Sequence, residues 1–134
     1  MSDQDIRWQQ RFHQFEKAFV LLKDAVDIES LSIIERAGLI QFFEMAFELA
    51  WKLLKDFGEA EGFVIKSPRD AIKQAFQMGL IQKAHDWMDA LEDRNLTVHT
   101  YNSEIALAVE QKIRGKYFPC LQQFYSHFKN KMSV

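Results

Sequence analysis

The sequence predicts an all-α protein, an antiparallel up-and-down four-helix bundle with an additional short helix. Three observations predict it. Apolar residues recur at three- and four-residue spacing almost everywhere, and strict alternation is scarce. Only 2 Pro and 5 Gly interrupt 134 residues, while Phe alone occurs 12 times. Four long periodic segments joined by short links leave few other packings.

The first helix runs from about Asp5 to Val26. Phe12, Phe15, Phe19, Leu22 and Val26 step by three or four and form one buried stripe. Asp27 to Ser30 breaks it. Ser32 is placed as an N-cap with Glu35 in capping-box spacing, and the second helix then runs to about Phe57 with Gly58 near its C-terminus. This helix is apolar on more than one side, and its polar stripe is Gln41, Glu44, Glu48, Lys52 and Lys55.

Glu59 to Lys66 reads as a loop. Ser67-Pro68 starts the short helix, Ser as cap and Pro at the first helical position, and Gly79 ends it. A fourth segment, about Lys83 to Asn95, puts Trp87, Met88 and Leu91 on one side. Leu96 to Tyr101 breaks the pattern with β-branched Thr97, Val98 and Thr100. Asn102 or Ser103 caps a last helix reaching about Lys129. Pro119 lies inside that helix, and its ring would meet the Gly115 carbonyl, so a kink is expected there.

At 48% hydrophobic and 27% charged residues the composition is globular. One domain over residues 1–134, with a core that needs neither disulfide nor structural metal, is expected from the length. The formal net charge of -2 excludes the broad basic field of an extended nucleic-acid scaffold, but leaves room for a small basic pocket. The single cysteine, Cys120, excludes a disulfide framework and a Cys-rich zinc site, and reads as a small buried hydrophobe. A reduced, cytoplasmic setting fits this usage. The polar, charged first ten residues do not read as a signal peptide. No apolar run approaches the roughly 20 residues of a bilayer span, so no membrane association is expected.

Chemistry concentrates in Asp93-Arg94-Asn95-Leu96-Thr97-Val98-His99-Thr100-Tyr101. A tight connection there would fold Arg94 and His99 toward one cleft. An arginine presents a charged planar fork suited to phosphate, and a histidine moves protons near neutral pH. Together they suit RNA cleavage without a metal. His99 would remove the 2′-hydroxyl proton or protonate the leaving group, and Arg94 would stabilise the phosphorane-like transition state. Asn95 would orient the phosphate or fix the loop. Tyr101 would point its hydroxyl into the same cleft. The plainer reading pairs Arg94 with an acid, makes His99 a cap of the last helix and half-buries Tyr101.

Other residues have similar alternatives. Glu44 and Glu48 lie one turn apart and repel mildly unless a cation joins them. Arg94 is one candidate, and Lys52 beside Glu48 is the plainer one. Asp93 is either a surface acid or a residue that orients the motif. Trp8, Trp51 and Trp87 read as core before they read as base-stacking rings. Lys112, Arg114 and Lys116 either meet RNA phosphates or form a solvated face.

Arg94-Asn95-x-x-x-His99-x-Tyr101 resembles the Arg-x4-His-x-Tyr motif of HEPN-domain proteins (higher eukaryotes and prokaryotes nucleotide-binding). More specifically, the chain resembles the nucleotidyltransferase substrate-binding family, partner of the minimal nucleotidyltransferases (MNT). Phe43-Glu44, Phe47-Glu48-Leu49-Ala50-Trp51-Lys52, Ser67-Pro68-Arg69, Gly79-Leu80-Ile81 and Trp87 carry the rest of the likeness, over roughly residues 7 to 125.

The resemblance implies a four-helix bundle and a homodimer whose two motif clefts share one site. It implies a metal-independent endoribonuclease with Arg94 and His99 as the catalytic pair, acting on RNA without a cofactor. It further implies a toxin–antitoxin pair, in which an MNT antitoxin adenylylates Tyr101 and so blocks the site with bulk and negative charge. The alternative that it carries is a non-catalytic substrate- or nucleotide-binding subunit of a two-chain nucleotidyltransferase. Asp93, Asn95 and Glu48 are the supporting residues expected around the pair.

Overall fold

The structure is a computed structural model, and it describes residues 2–132. It is all-helical: α1 (Asp3–Val26), α2 (Ile33–Ala60), α3 (Pro68–Gln77), α4 (Ala84–Asp93), a 3₁₀ turn (Arg94–His99), α5 (Ser103–Lys112), a π-turn (Ile113–Tyr117) and α6 (Phe118–Met132). The last three run on as one continuous helix. Helices α1, α2, α4 with the 3₁₀ turn that extends it, and the continuous α5–α6 form the antiparallel bundle, and α3 is the additional short helix.

Local chemistry sets most boundaries. The expected capping box stands at α2: Glu35 N–H donates to Ser32 Oγ at 3.1 Å, and Ser32 N–H to Glu35 Oε1 at 2.8 Å. Ser67 Oγ accepts from Asp70 N–H at 3.1 Å, with Pro68 opening α3. The first helix starts two residues earlier than expected. Ser2 and Asp5 make a second capping box, in which a shorter acid does the work of glutamate.

Helix α2 continues to Ala60 and takes Gly58 inside. Gly62, at φ +96°, is the residue that turns the chain out. Phe63 N–H then reaches Gly58 O at 3.0 Å and Gly62 N–H reaches Glu59 O at 3.0 Å, a Schellman closure of the end. Gly58 serves contact instead: a Cβ there would lie 2.4 Å from Ile65 Cδ1.

One apolar cluster joins the helices. Phe124 of α6 sits edge-on to Phe15 of α1 at 5.0 Å and to Trp87 of α4 at 5.2 Å. Trp87 is 1% exposed, and its burial contributes about 3 kcal/mol toward fixing α4 on the bundle. Trp8 is also core, and Trp51 is partly buried against it. Cys120 is buried, and burial, then the nearby Asp86 carboxylate, push its thiol up to about 11, which leaves it unreactive.

Pro119 is accommodated by a π-turn. Phe118 N–H donates to Ile113 O, five residues back. This wider turn moves backbone carbonyls away from the positions where a proline ring would strike them. Ile113, Tyr117 and Phe118 all remain buried through it.

Candidate active site

The motif begins where α4 ends. Helical hydrogen bonding tightens there into the 3₁₀ turn, so Leu96 to His99 stay helical where the sequence pattern suggested a break. Threonine explains it. Thr97 Oγ1 donates to Arg94 O at 2.9 Å and Thr100 Oγ1 to Thr97 O at 2.8 Å. Each hydroxyl reaches back three residues, the repeat of a 3₁₀ helix. Leu96 packs against the core. Asn102, not Ser103, caps α5, accepting from Glu104 N–H at 2.9 Å and Ile105 N–H at 3.2 Å.

This geometry sorts the motif. With three residues per turn, Asn95, Val98 and Tyr101 fall on one row, and all three are exposed. Tyr101 is 86% exposed, so the half-buried reading of it does not hold. His99 is also exposed, and its ring meets the Tyr101 ring at 6.4 Å between centroids. Among the described residues no hydrogen bond or ion pair engages the His99 ring.

The backbone does not fold back between Arg94 and His99. The two residues occupy the two ends of one 3₁₀ helix, separated by about 10 Å of rise and about a third of a turn. Arg94 Nη1 donates to Glu48 Oε2 of α2 at 3.4 Å. Lys52 Nζ lies 3.8 Å from the other oxygen of Glu48, so both expected partners share that carboxylate. The Arg94 and Glu48 side chains are 34% and 40% exposed. Such a pair is worth about 0–1 kcal/mol and yields readily to a phosphate.

Asp93 is not a free surface acid. Its Oδ2 accepts from Lys112 Nζ at 3.1 Å and from the Tyr117 hydroxyl. Lys116 reaches Asp89 and lies 3.9 Å from Asp86, while Arg114 bonds Glu110 and the Val26 and Ile28 carbonyls. The basic run is therefore occupied within the protein and does not form a free phosphate track. Sequence reasoning misses Tyr117 as a candidate because it counts as one more stripe residue. The legible signal is the α4 acid row Asp86, Asp89 and Asp93, matched by Lys112 and Lys116.

Beside Tyr101 a shallow groove of about 110 Å³ is lined by Ile33, Arg36, Ala37, Ile40 and Thr100. Ile33 is exposed at this groove, and Ile34 and Val98 are also exposed. Among the described residues no group of three or more His, Cys, Asp or Glu is arranged to share a metal. No described helix is long and apolar enough to cross a membrane.

The fold is thus a helical bundle whose α4–α5 connection presents His99 and Tyr101 to solvent. A family model described as "Nucleotidyltransferase substrate binding protein like" matches residues 10–130. A curated relative from Haemophilus influenzae, "Probable ribonuclease HepT", is 33% identical, with 76% of each chain covered. The crystal structure of a protein from Thermus thermophilus superposes with a TM-score of 0.77 at 36% identity, covering 84% of this chain and 96% of that one. The chain belongs to the nucleotidyltransferase substrate-binding family of HEPN-domain proteins.

Proposed function

We propose that the protein is a HEPN ribonuclease toxin that cuts RNA without a metal ion through Arg94 and His99. The observation that carries this reading is the state of the motif. The fold consumes Thr97, Thr100 and Leu96 to hold the turn, and leaves His99 and Tyr101 exposed and Arg94 in a weak pair. The name of the Haemophilus relative supports the same activity class. In the reaction the RNA 2′-oxygen attacks the adjacent phosphorus, the 5′-oxygen leaves, and a 2′,3′-cyclic phosphate forms. His99 takes the 2′-hydroxyl proton or delivers a proton to the 5′-oxygen. Arg94 leaves Glu48 for the phosphoryl oxygens and stabilises their developing charge.

The separation of Arg94 from His99 within one chain supports a composite site in a homodimer, Arg94 of one copy working with His99 of the other. Exposed Ile33, which shares a groove with Tyr101, and exposed Val98 within the motif are apolar surface of the kind that associating copies cover. Mixing Arg94→Ala with His99→Ala chains tests it. Activity recovered in the mixture supports sharing, and none recovered removes it.

A partner MNT nucleotidyltransferase would neutralise the site by adenylylation. The Tyr101 oxygen attacks the α-phosphorus of ATP, pyrophosphate leaves, and the phenolic proton passes to solvent. The exposure of Tyr101 supports access by such an enzyme. Loss of an AMP mass addition in Tyr101→Phe is the expected result; AMP found on another residue would overturn this step.

A second reading, a non-catalytic binding subunit of a two-chain nucleotidyltransferase, is favoured by the description of the family model that matches residues 10–130. A tight complex with the transferase, with no RNA cleavage by the free protein, would select it.

A further inference from the structure

We propose that Tyr117 is a positioning residue for Arg94, acting through Asp93. The inference rests on the ribonuclease reading for its catalytic consequence, but its geometric content stands apart from it. Pro119 lies two residues beyond Tyr117, and the π-turn that accommodates the proline ends at Tyr117 itself. The Tyr117 ring is 2% exposed and stacks on Phe43 of α2 at 5.4 Å, with 18° between planes. A ring so enclosed has one place for its hydroxyl, and that hydroxyl donates to Asp93 Oδ2. Lys112 Nζ, five residues earlier, donates to the same oxygen at 3.1 Å.

Asp93 is the last residue of α4, one peptide bond before Arg94. It closes the acid row whose earlier members, Asp86 and Asp89, engage Lys116 from the same π-turn. The catalytic turn therefore hangs from a helix end that the π-turn clamps from one side, while α2 receives the Arg94 guanidinium through Glu48. Burial, reinforced by the Asp93 carboxylate, holds the Tyr117 phenol protonated far above its ordinary range, so it remains a donor at every working pH. Tyr117 is too deep to touch RNA. Its effect passes through the placement of Arg94, where a displacement of about 1 Å is enough to cost rate.

The test is Tyr117→Phe, which deletes one oxygen and keeps the stacked ring. Asp93→Asn is the second variant, which serves if the first fails to fold. Tyr125→Phe is the control, since its hydroxyl bonds Glu16 on α1. Two readouts are taken: steady-state RNA cleavage, and amide hydrogen exchange over residues 94–100. The expected result is a fall in kcat of about ten- to a hundredfold in Tyr117→Phe, with KM within threefold. Exchange should be faster in the 3₁₀ turn and unchanged in α1 and α2. The Tyr125→Phe control should match wild type in both. Combining Tyr117→Phe with Asp93→Asn should lower kcat no further than Asp93→Asn alone.

Wild-type kcat in folded Tyr117→Phe overturns the proposal. So does a uniform rise in exchange across the bundle, which would make Tyr117 a plain core residue. If the wild-type protein cuts no RNA, the ribonuclease reading fails by itself. The exchange pattern then decides the tether: local loosening upholds it and unchanged exchange overturns it.

Discussion

Replacing Glu48 with glutamine removes one negative charge beside Arg94 and leaves an amide oxygen in its place. At 3.4 Å the Coulomb attraction of the pair is about 1.2 kcal/mol in bulk water and about 5 kcal/mol at an effective dielectric constant of about 20. Both side chains are a third or more exposed. Solvent screening and the ordering of two long side chains therefore reduce the net to about 0.2–1 kcal/mol. An incoming phosphate has to overcome that amount, so Glu48→Gln should lower KM for RNA by about 1.4- to 5-fold. Lys52, which loses the same partner, pushes in the same direction. The glutamine oxygen still accepts from Arg94, so kcat should stay within about threefold. Melting should move by less than about 5 °C. The assay is steady-state cleavage of a short RNA at low and at high salt, with the gain shrinking at high salt. A higher KM would refute the reasoning, because Glu48 would then assist binding. A kcat loss beyond about tenfold at constant KM would also refute it, because Glu48 would then act in the transition state.

The bundle around the site gives three more expected outcomes. The Glu16 carboxyl is held below its ordinary 4.5 by the Lys129 hydrogen bond and then by the Tyr125 hydroxyl. Its contribution is therefore present above that value and lost as pH falls through the lowered one; the Tm gap between wild type and Glu16→Gln should close on acidification below 4.5, and a constant gap would refute it. Gly58→Ala should destabilise through Ile65 Cδ1. Added to Ile65→Val it should instead stabilise by about 1 kcal/mol in urea melts, because the helix gains an alanine once the clash is gone. Asp56 is 5% exposed and Arg11 29%, so Arg11→Met, which strands the buried carboxylate, should cost about 3–5 kcal/mol, and more than Asp56→Asn.

The bundle was legible because its signals are local. The Phe stripe of α1, the Ser32–Glu35 box and the Ser67-Pro68 start each act within one or two turns. What was harder to read depends on contacts across the chain. Gly58 looked like a helix end because nothing local shows that Ile65 lies against it. Thr97 and Thr100 suggested a break because β-branching disfavours an α-helix. Their hydroxyls instead suit a 3₁₀ repeat. The motif residues stand out in the sequence by type and spacing. Their separation along one turn was not legible, since a five-residue step means different things in a loop and in a 3₁₀ helix. Tyr117 was invisible as a site residue, because its spacing is that of the core and only the tertiary fold brings its hydroxyl to Asp93.

The most direct measurement is RNA cleavage by the purified protein in the presence of a metal chelator, wild type beside His99→Ala. A metal-independent Arg94–His99 site predicts chelator-resistant cleavage that leaves 2′,3′-cyclic phosphate ends, falling at least about a hundredfold in His99→Ala with the fold intact. Equal cleavage by the two proteins, or cleavage abolished by the chelator, would contradict it.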